Sequence, residues 1–131
     1  AGLAQLAAGL EVPVAAGEHL YHLQAFRWLL EARGVDVIIL DLARVGGITP
    51  WRKIAALAHA HQIHVCGHVV PEIQVHLLAA IPNALLVEYV PRSAGILQAM
   101  PAIEHSDLVV PPGPGLGIAL DDSAVRRFTV R

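Results

Sequence analysis

Four apolar, strand-like runs in this chain each end on an ionisable side chain. They close at Glu18, Asp41, His68 and Glu88, separated by roughly 20 to 27 residues, enough for one helix and two short loops. In a parallel α/β fold all strands point the same way, so the residues that close successive strands meet at one rim, where such folds carry their chemistry. The pattern predicts an acid/base site built from these four residues.

The segments between the runs have the hydrophobic spacing of helices. The sequence predicts strands at 12–16, 35–40, 63–66 and 85–88, the tail of a helix at 1–10, and helices at 20–32, 51–61 and 71–80. Thr49 followed by Pro50 predicts an N-cap and a proline at the first helical position. Alternation of strand and helix favours a parallel sheet with right-handed crossovers.

Beyond Glu88 the pattern changes. Residues 91–107 are predicted to be irregular or partly helical, 108–110 to form one short strand, and the proline- and glycine-rich 111–115 to lie outside regular structure. Asp121 or Asp122 is expected to cap a last short helix.

Length and composition limit the class of protein. The 131 residues correspond to one domain and to about half of a βα barrel, which needs roughly 250 residues. Hydrophobic residues make up 55%, charged residues 15%, and the mean hydropathy is +0.55. Because Gly, Pro and charges interrupt every apolar run before the roughly 18 residues of a membrane span, we expect no membrane segment and strands buried on both faces.

Charge and cysteine content argue against a nucleic-acid partner and against an oxidising compartment. The formal net charge is −2, Lys53 is the single lysine, and the arginines are scattered, so we expect no nucleic-acid partner. One cysteine, Cys66, excludes an intrachain disulfide and favours a reducing, cytoplasmic location. The chain starts at Ala1 rather than Met, which suggests a piece of something longer.

The chemistry of the four strand-end residues suggests distinct roles. Glu18 is a candidate Mg²⁺ ligand, since this cation prefers oxygen, but at least two more ligands would have to come from elsewhere. His68 is the best general base, because an unperturbed histidine titrates near pH 6.5. Asp41 could orient its imidazole. Glu88 could stay protonated in an apolar rim and donate a hydrogen bond to a developing oxyanion.

Simpler explanations exist for two of these residues. Glu18 taken alone is a solvated loop carboxylate. Asp41 could equally cap the turn that contains Gly46 and Gly47.

Several motifs carry a resemblance to a known family. They are VAAGE ending at Glu18, DLARVGGIT starting at Asp41, His68 followed by VVPE, LVE ending at Glu88, and PGPGLG at 112–117. In this order and spacing they resemble the C-terminal part of the enolase superfamily, and most closely its mandelate racemase subgroup, which includes many acid-sugar dehydratases.

The resemblance implies a barrel enzyme that abstracts the proton α to a carboxylate, with Mg²⁺ stabilising the enediolate. It makes Glu18 the third metal ligand, His68 and Asp41 the base dyad, and Glu88 the group that hydrogen-bonds the substrate carboxylate. The first two metal ligands and the capping domain would lie upstream of Ala1. The resemblance implies that a muconate-cycloisomerase-like or dipeptide-epimerase-like relative would use a lysine near the turn from Asp41 to Gly47, and this sequence has none there.

These implications set the functional expectations. The resemblance implies a Mg²⁺-dependent lyase that dehydrates a sugar acid; a racemase or epimerase of a 2-hydroxy acid and a non-catalytic truncated fragment are the alternatives. His19 and Arg44 are candidate substrate contacts, and the partner is a small-molecule carboxylate. We expect 1–105 to form the C-terminal half of a (β/α) barrel, 106–131 to pack back on the barrel and capping domain, and the full-length protein to be a homo-oligomer.

Overall fold

A four-stranded parallel sheet covered by helices forms the centre of the fold. The structure is a computed structural model that describes residues 2–130. The sheet has the order β1–β2–β3–β4, with β1 at Ala15–Ala16, β2 at Val37–Asp41, β3 at His64–His68 and β4 at Ala84–Val87. The helices are α1 (Gly2–Gly9), α2 (Leu23–Glu31), α3 (Ile48–Ala60), α4 (Pro71–Ala79) and α5 (Asp122–Phe128). The predicted parallel βα arrangement is confirmed.

The two faces of the sheet have different environments. Side chains alternate along a strand, and Ile38, Leu40 and Val65 point to the face covered by helices, where they are fully buried against Phe26 and Trp51. Residues on the opposite face, such as Ile39 and Cys66, are half-buried. Asp41 and His68 fall on this second face, the one that points into the interior of a βα barrel.

The strand register sets the level of the rim. Asp41 pairs directly with His68 across β2 and β3. Between β3 and β4 the register shifts once: Val65 pairs with Ala84, whereas Cys66 pairs with Leu86. Leu85 is therefore an extra residue in β4, a β-bulge.

Element ends differ in places from the sequence-based expectations. The first strand is only two residues long, and α2 begins at Leu23 rather than residue 20. Thr49 is not the N-cap of α3; the cap is Gly47, whose carbonyl oxygen accepts the Trp51 N–H at 3.2 Å, so the helix starts at Ile48. None of the helices described within residues 2–130 is long and apolar enough to cross a membrane.

The C-terminal segment is built from short elements. An antiparallel hairpin of β5 (Ile103–Glu104) and β6 (Asp107–Leu108) follows a short 3₁₀ helix at Ala94–Ile96. The expected boundary between residues 105 and 106 falls in the turn of this hairpin. Asp121 is the N-cap of α5 and accepts the Ser123 and Ala124 N–H groups.

Two side-chain hydrogen bonds tie this segment to α4. The Ser93 hydroxyl donates to the buried carboxyl of Glu72, and the ring of His76 lies 2.9 Å from the Leu116 carbonyl oxygen. Residues on both sides of the β5–β6 hairpin thus contact α4.

Candidate active site

Three of the predicted residues lie side by side at the carboxyl ends of neighbouring strands. Asp41 closes β2, His68 closes β3 and Glu88 follows β4. The Glu88 N–H donates to the Gly67 carbonyl oxygen at 2.8 Å, which continues the ladder by one residue and sets Glu88 beside His68. The rim predicted from the sequence is present at these three positions.

Asp41 and His68 form a hydrogen-bonded pair. The Asp41 Oδ2 and His68 Nδ1 atoms are 2.7 Å apart, and the two side chains are 6% and 20% exposed. An ionised carboxylate can only accept, so Nδ1 carries the proton and the lone pair of the neutral ring is on Nε2. The pair thus presents a fixed proton acceptor at the mouth of the sheet.

The surroundings of Asp41 keep its carboxyl ionised. Burial by itself raises the pKa of Asp41, but hydrogen bonds from the Arg44 N–H and the His68 ring, together with the charges of both partners, outweigh burial. The net effect is a pKa for Asp41 below its usual value. The carboxylate is therefore a permanent acceptor for His68 near neutral pH.

Glu88 lies on the other side of the imidazole. Its Oε2 atom accepts the Val69 N–H at 3.1 Å and lies 3.6 Å from His68 Nε2, too far for a hydrogen bond. Its side chain is 49% exposed. The apolar surroundings expected for Glu88 are thus not provided by residues 2–130, because β4 is the last strand of the described sheet and leaves this carboxyl open to solvent.

Gly17 positions Glu18 at the end of β1. Gly17 has φ of 137° and is buried, and a Cβ atom there would lie 2.7 Å from the Ile39 carbonyl oxygen. Only glycine fits this close approach. The Glu18 side chain, 29% exposed, accepts the Gly17 N–H through Oε2 and has Oε1 3.6 Å from His19 Nε2.

Glu18 has the donor chemistry of a single Mg²⁺ ligand. Carboxylate oxygen suits this hard cation. Within residues 2–130, however, no group of three or more His, Cys, Asp or Glu side chains is arranged to hold a metal ion. The residues present therefore fit one ligand of a magnesium site and not a whole one.

Arg44 connects Glu18 to the Asp41–His68 pair. Its Nη1 atom donates to the Glu18 carbonyl oxygen at 2.9 Å and to Asp41 Oδ2 at 3.2 Å. The candidate substrate contact His19 is largely exposed at 77%. Four of the predicted residues, including Glu18 through its backbone, thus belong to one connected network.

One residue of this network was missed by sequence reasoning. Gln74 on α4 is fully buried, and its Nε2 donates to the carbonyl oxygens of Leu40 and His68. A polar residue in a helix usually indicates a solvent-facing position, and the sequence offers no signal against that interpretation except its place on an otherwise apolar face.

Comparisons with known proteins give the family. The model of the family described as "Enolase C-terminal domain-like" matches residues 1–124. The D-xylonate dehydratase of Haloferax volcanii is 38% identical in an alignment 127 positions long, which covers 90% of this chain and 31% of that enzyme. The chain therefore spans about a third of the length of this relative.

Solved structures agree in fold. L-talarate dehydratase from Polaromonas sp. JS666, complexed with Mg and L-glucarate, has a TM-score of 0.89 and 34% identity over 95% of this chain and 35% of its own. An enolase from Bradyrhizobium complexed with magnesium and mandelic acid has a TM-score of 0.92 and 33% identity over 99% of this chain and 36% of its own. This chain belongs to the enolase superfamily and corresponds to its C-terminal barrel portion.

Proposed function

We propose that this chain supplies the proton-transfer half of a Mg²⁺-dependent acid-sugar dehydratase. The observation that carries the proposal is the 2.7 Å contact between Asp41 Oδ2 and His68 Nδ1. The dehydratase names of relatives, together with their complexes with Mg and a sugar diacid, support the substrate class.

His68 is the proton-transfer residue of the proposal. In the neutral ring, Nε2 accepts the proton from the carbon α to the substrate carboxylate, and the electron pair of that C–H bond moves into the carboxylate to give an enediolate. The imidazolium so formed can return a proton to the β-hydroxyl, which leaves as water. The resulting enol tautomerises to a 2-keto acid, so atoms and charges balance.

Asp41 acts through His68. Its ionised carboxylate holds the Nδ1 proton and stabilises the imidazolium. We assign Arg44 Nη1 to holding Asp41, which leaves Nε and Nη2 of the same guanidinium for substrate oxygens. His19 is the second proposed substrate contact, since its ring is exposed beside Glu18.

Glu88 and Glu18 are proposed to handle the substrate carboxylate. A carboxyl group hydrogen-bonds a carboxylate only when a proton lies between them, so Glu88 shares a proton with the substrate. Glu18 is the proposed metal ligand within this chain; bound Mg²⁺ would supply electrostatic stabilisation of negative charge on the substrate carboxylate. Further ligands are proposed to come from outside these 131 residues.

A panel of sugar acids tests the reaction. The protein, expressed from its complete reading frame, is incubated with Mg²⁺ and each acid, and the product is assayed as a 2-keto acid. Keto-acid formation that is lost in His68→Asn supports the proposal. Inversion of configuration without keto product would show a racemase or epimerase instead, and no reaction with any acid would favour the non-catalytic fragment.

A further inference from the structure

We infer that Gln74 is a positioning residue that holds the ends of β2 and β3 so that Asp41 and His68 stay in register. The inference rests on the proposed role of that pair in proton transfer. Gln74 lies in the first turn of α4 and is fully buried. It acts on the pair only through the backbone.

The Gln74 amide joins two neighbouring strands. Its Nε2 donates to the Leu40 carbonyl oxygen at 2.9 Å and to the His68 carbonyl oxygen at 3.2 Å. Both acceptors are carbonyls, so the group that faces them has to be the donor end of the amide. A glutamate at this position, when ionised, would point an acceptor at two acceptors.

Each of these carbonyls belongs to a peptide group that controls a side chain of the site. The Leu40 carbonyl shares a rigid plane with the nitrogen and Cα of Asp41, because the peptide bond is planar. The His68 carbonyl belongs to the plane that begins at the Cα of His68. Fixing both oxygens on one nitrogen therefore fixes the relative direction of the two Cα–Cβ bonds.

The turn after His68 needs such support. Val69 and Val70 have φ of 46° and 40°, a left-handed conformation that is unfavourable for β-branched residues. The peptide between His68 and Val69 is held at both ends, because Gln74 binds its carbonyl and Glu88 Oε2 accepts its N–H. Strained backbone persists where surrounding contacts over-determine it.

Gly67 leaves the space that Gln74 occupies. A Cβ atom at Gly67 would lie 3.0 Å from both Cδ and Oε1 of Gln74. The Oε1 atom is buried without a hydrogen-bond partner among the described residues, an unfavourable arrangement. The buried, unpaired Oε1 atom thus costs free energy, and this arrangement places the donor nitrogen of Gln74 at the two strand ends.

A second buried amide provides a matched control. Asn83 Nδ2 donates to the carbonyl oxygens of Ala55 and Ile63, and its Oδ1 also lacks a partner among the described residues. Ala55 is in α3 and Ile63 precedes β3, so Asn83 joins a helix to the start of a strand at the opposite end of the sheet. A purely structural amide should resemble Asn83 in its effects.

The test compares Gln74→Met with Asn83→Leu in the protein made from its complete reading frame. Three quantities are measured: Tm, kcat on the acid that the panel identifies, and the ring nitrogen signals of isotope-labelled His68, assigned with His68→Asn. We expect both variants to lose several degrees of Tm. Only Gln74→Met should lose the single Nδ1–H form of His68, and its kcat should fall by about ten- to a hundredfold.

The outcomes separate this inference from the proposed function. Similar Tm losses with unchanged His68 signals in Gln74→Met would overturn the positioning role, whatever happens to kcat. Altered His68 signals with unchanged kcat would support positioning and contradict the proton-transfer role of the pair. If Gln74→Met does not fold, Gly67→Ala is measured in the same way, because the added methyl group would push against the Gln74 amide and shift it without removing it. Unchanged His68 signals in Gly67→Ala would also overturn the inference.

Discussion

The two sides of the rim, the Asp41–His68 pair and Glu18, differ in how many hydrogen bonds from other parts of the fold hold their side chains. The Asp41–His68 pair, in which Asp41 is buried and His68 half-buried, spans two paired strands and is held by Arg44 and Gln74. Glu18 is more exposed, and among residues 2–130 the polar contacts of its carboxylate are with its neighbours Gly17 and His19. In the proposed function, proton transfer thus depends on residues from adjacent strands of this chain, whereas metal binding is expected to depend on more distant parts of the protein.

The largest effect on activity should come from Asp41→Asn, which disrupts the hydrogen bond between Asp41 and His68. The neutral amide cannot act as a permanent acceptor, so His68 loses its fixed tautomer. We expect kcat on the identified sugar acid to fall by roughly 10²–10⁴-fold. Asp36→Asn is the control, because Asp36 lies just before the same strand and accepts the Val14 N–H at 2.7 Å. A kcat for Asp41→Asn close to that of Asp36→Asn would contradict the dyad.

Glu18→Gln tests the other side of the rim. The change keeps the shape and removes the charge, so we expect Mg²⁺ affinity, measured by calorimetry, to fall by at least about tenfold. The His68 ring signals should not change. Glu31→Gln is the control, since Glu31 pairs with Arg27 on the surface of α2. Unchanged Mg²⁺ affinity in Glu18→Gln would remove Glu18 from the metal site.

Arg44→Met tests the link between the two sides. The lowered pKa of Asp41 means that its ionised form stabilises the fold; this contribution is complete well above the ordinary value of 3.8 and is lost as the pH falls through the folded-state pKa. Removing the Arg44 side chain takes away one cause of the lowering, so the folded-state pKa of Asp41 rises toward 3.8 and less stability is lost as the pH falls below 3.8. Near pH 7 we expect the free energy of unfolding to fall by about 1–3 kcal/mol.

Urea unfolding from pH 3 to 7 measures this effect. Arg27→Met is the control, because the exposed Arg27–Glu31 pair should contribute about 0.5 kcal/mol or less. Identical pH dependence in Arg44→Met and the native sequence would show that Arg44 does not hold Asp41.

The smallest effect is expected from Asp121→Ala in the C-terminal segment. Loss of the N-cap should fray α5 and lower Tm by less than Arg44→Met does. kcat and the His68 signals should stay at native values. A change in either would mean that the C-terminal segment supports the rim directly.

Much of the fold could be predicted from the sequence because the strands are short apolar runs with polar ends. Asp41 and His68 could be expected to meet because each closes a strand, and parallel strands end at one edge. Of the β5–β6 hairpin, the sequence predicted one strand, at 108–110, where the structure has β6 at Asp107–Leu108. The strand β5 was missed, since a two-residue strand such as Ile103–Glu104 carries no periodic pattern.

The remaining differences have local physical causes. Threonine is a common N-cap residue, but the Gly47 carbonyl accepts the first helical hydrogen bond, so α3 begins before Thr49. Gln74 could not be identified, because the pattern of a helix tells which side is buried and not which carbonyls a buried amide reaches. The exposure of Glu88 depends on which part of the protein packs beside β4, and a motif at the end of a strand does not indicate this.

The extra residue in β4 decides which side chain faces His68. With Leu85 accommodated as a bulge, Val87 pairs with Gly67 and Glu88 stands level with the imidazole. If Leu85 instead paired with Cys66 in a regular ladder, each later residue of β4 would shift by one position and Val87 would stand opposite His68. The bulge therefore decides on which face of the sheet the Glu88 side chain lies, because a regular strand of the same length would turn that side chain to the opposite face.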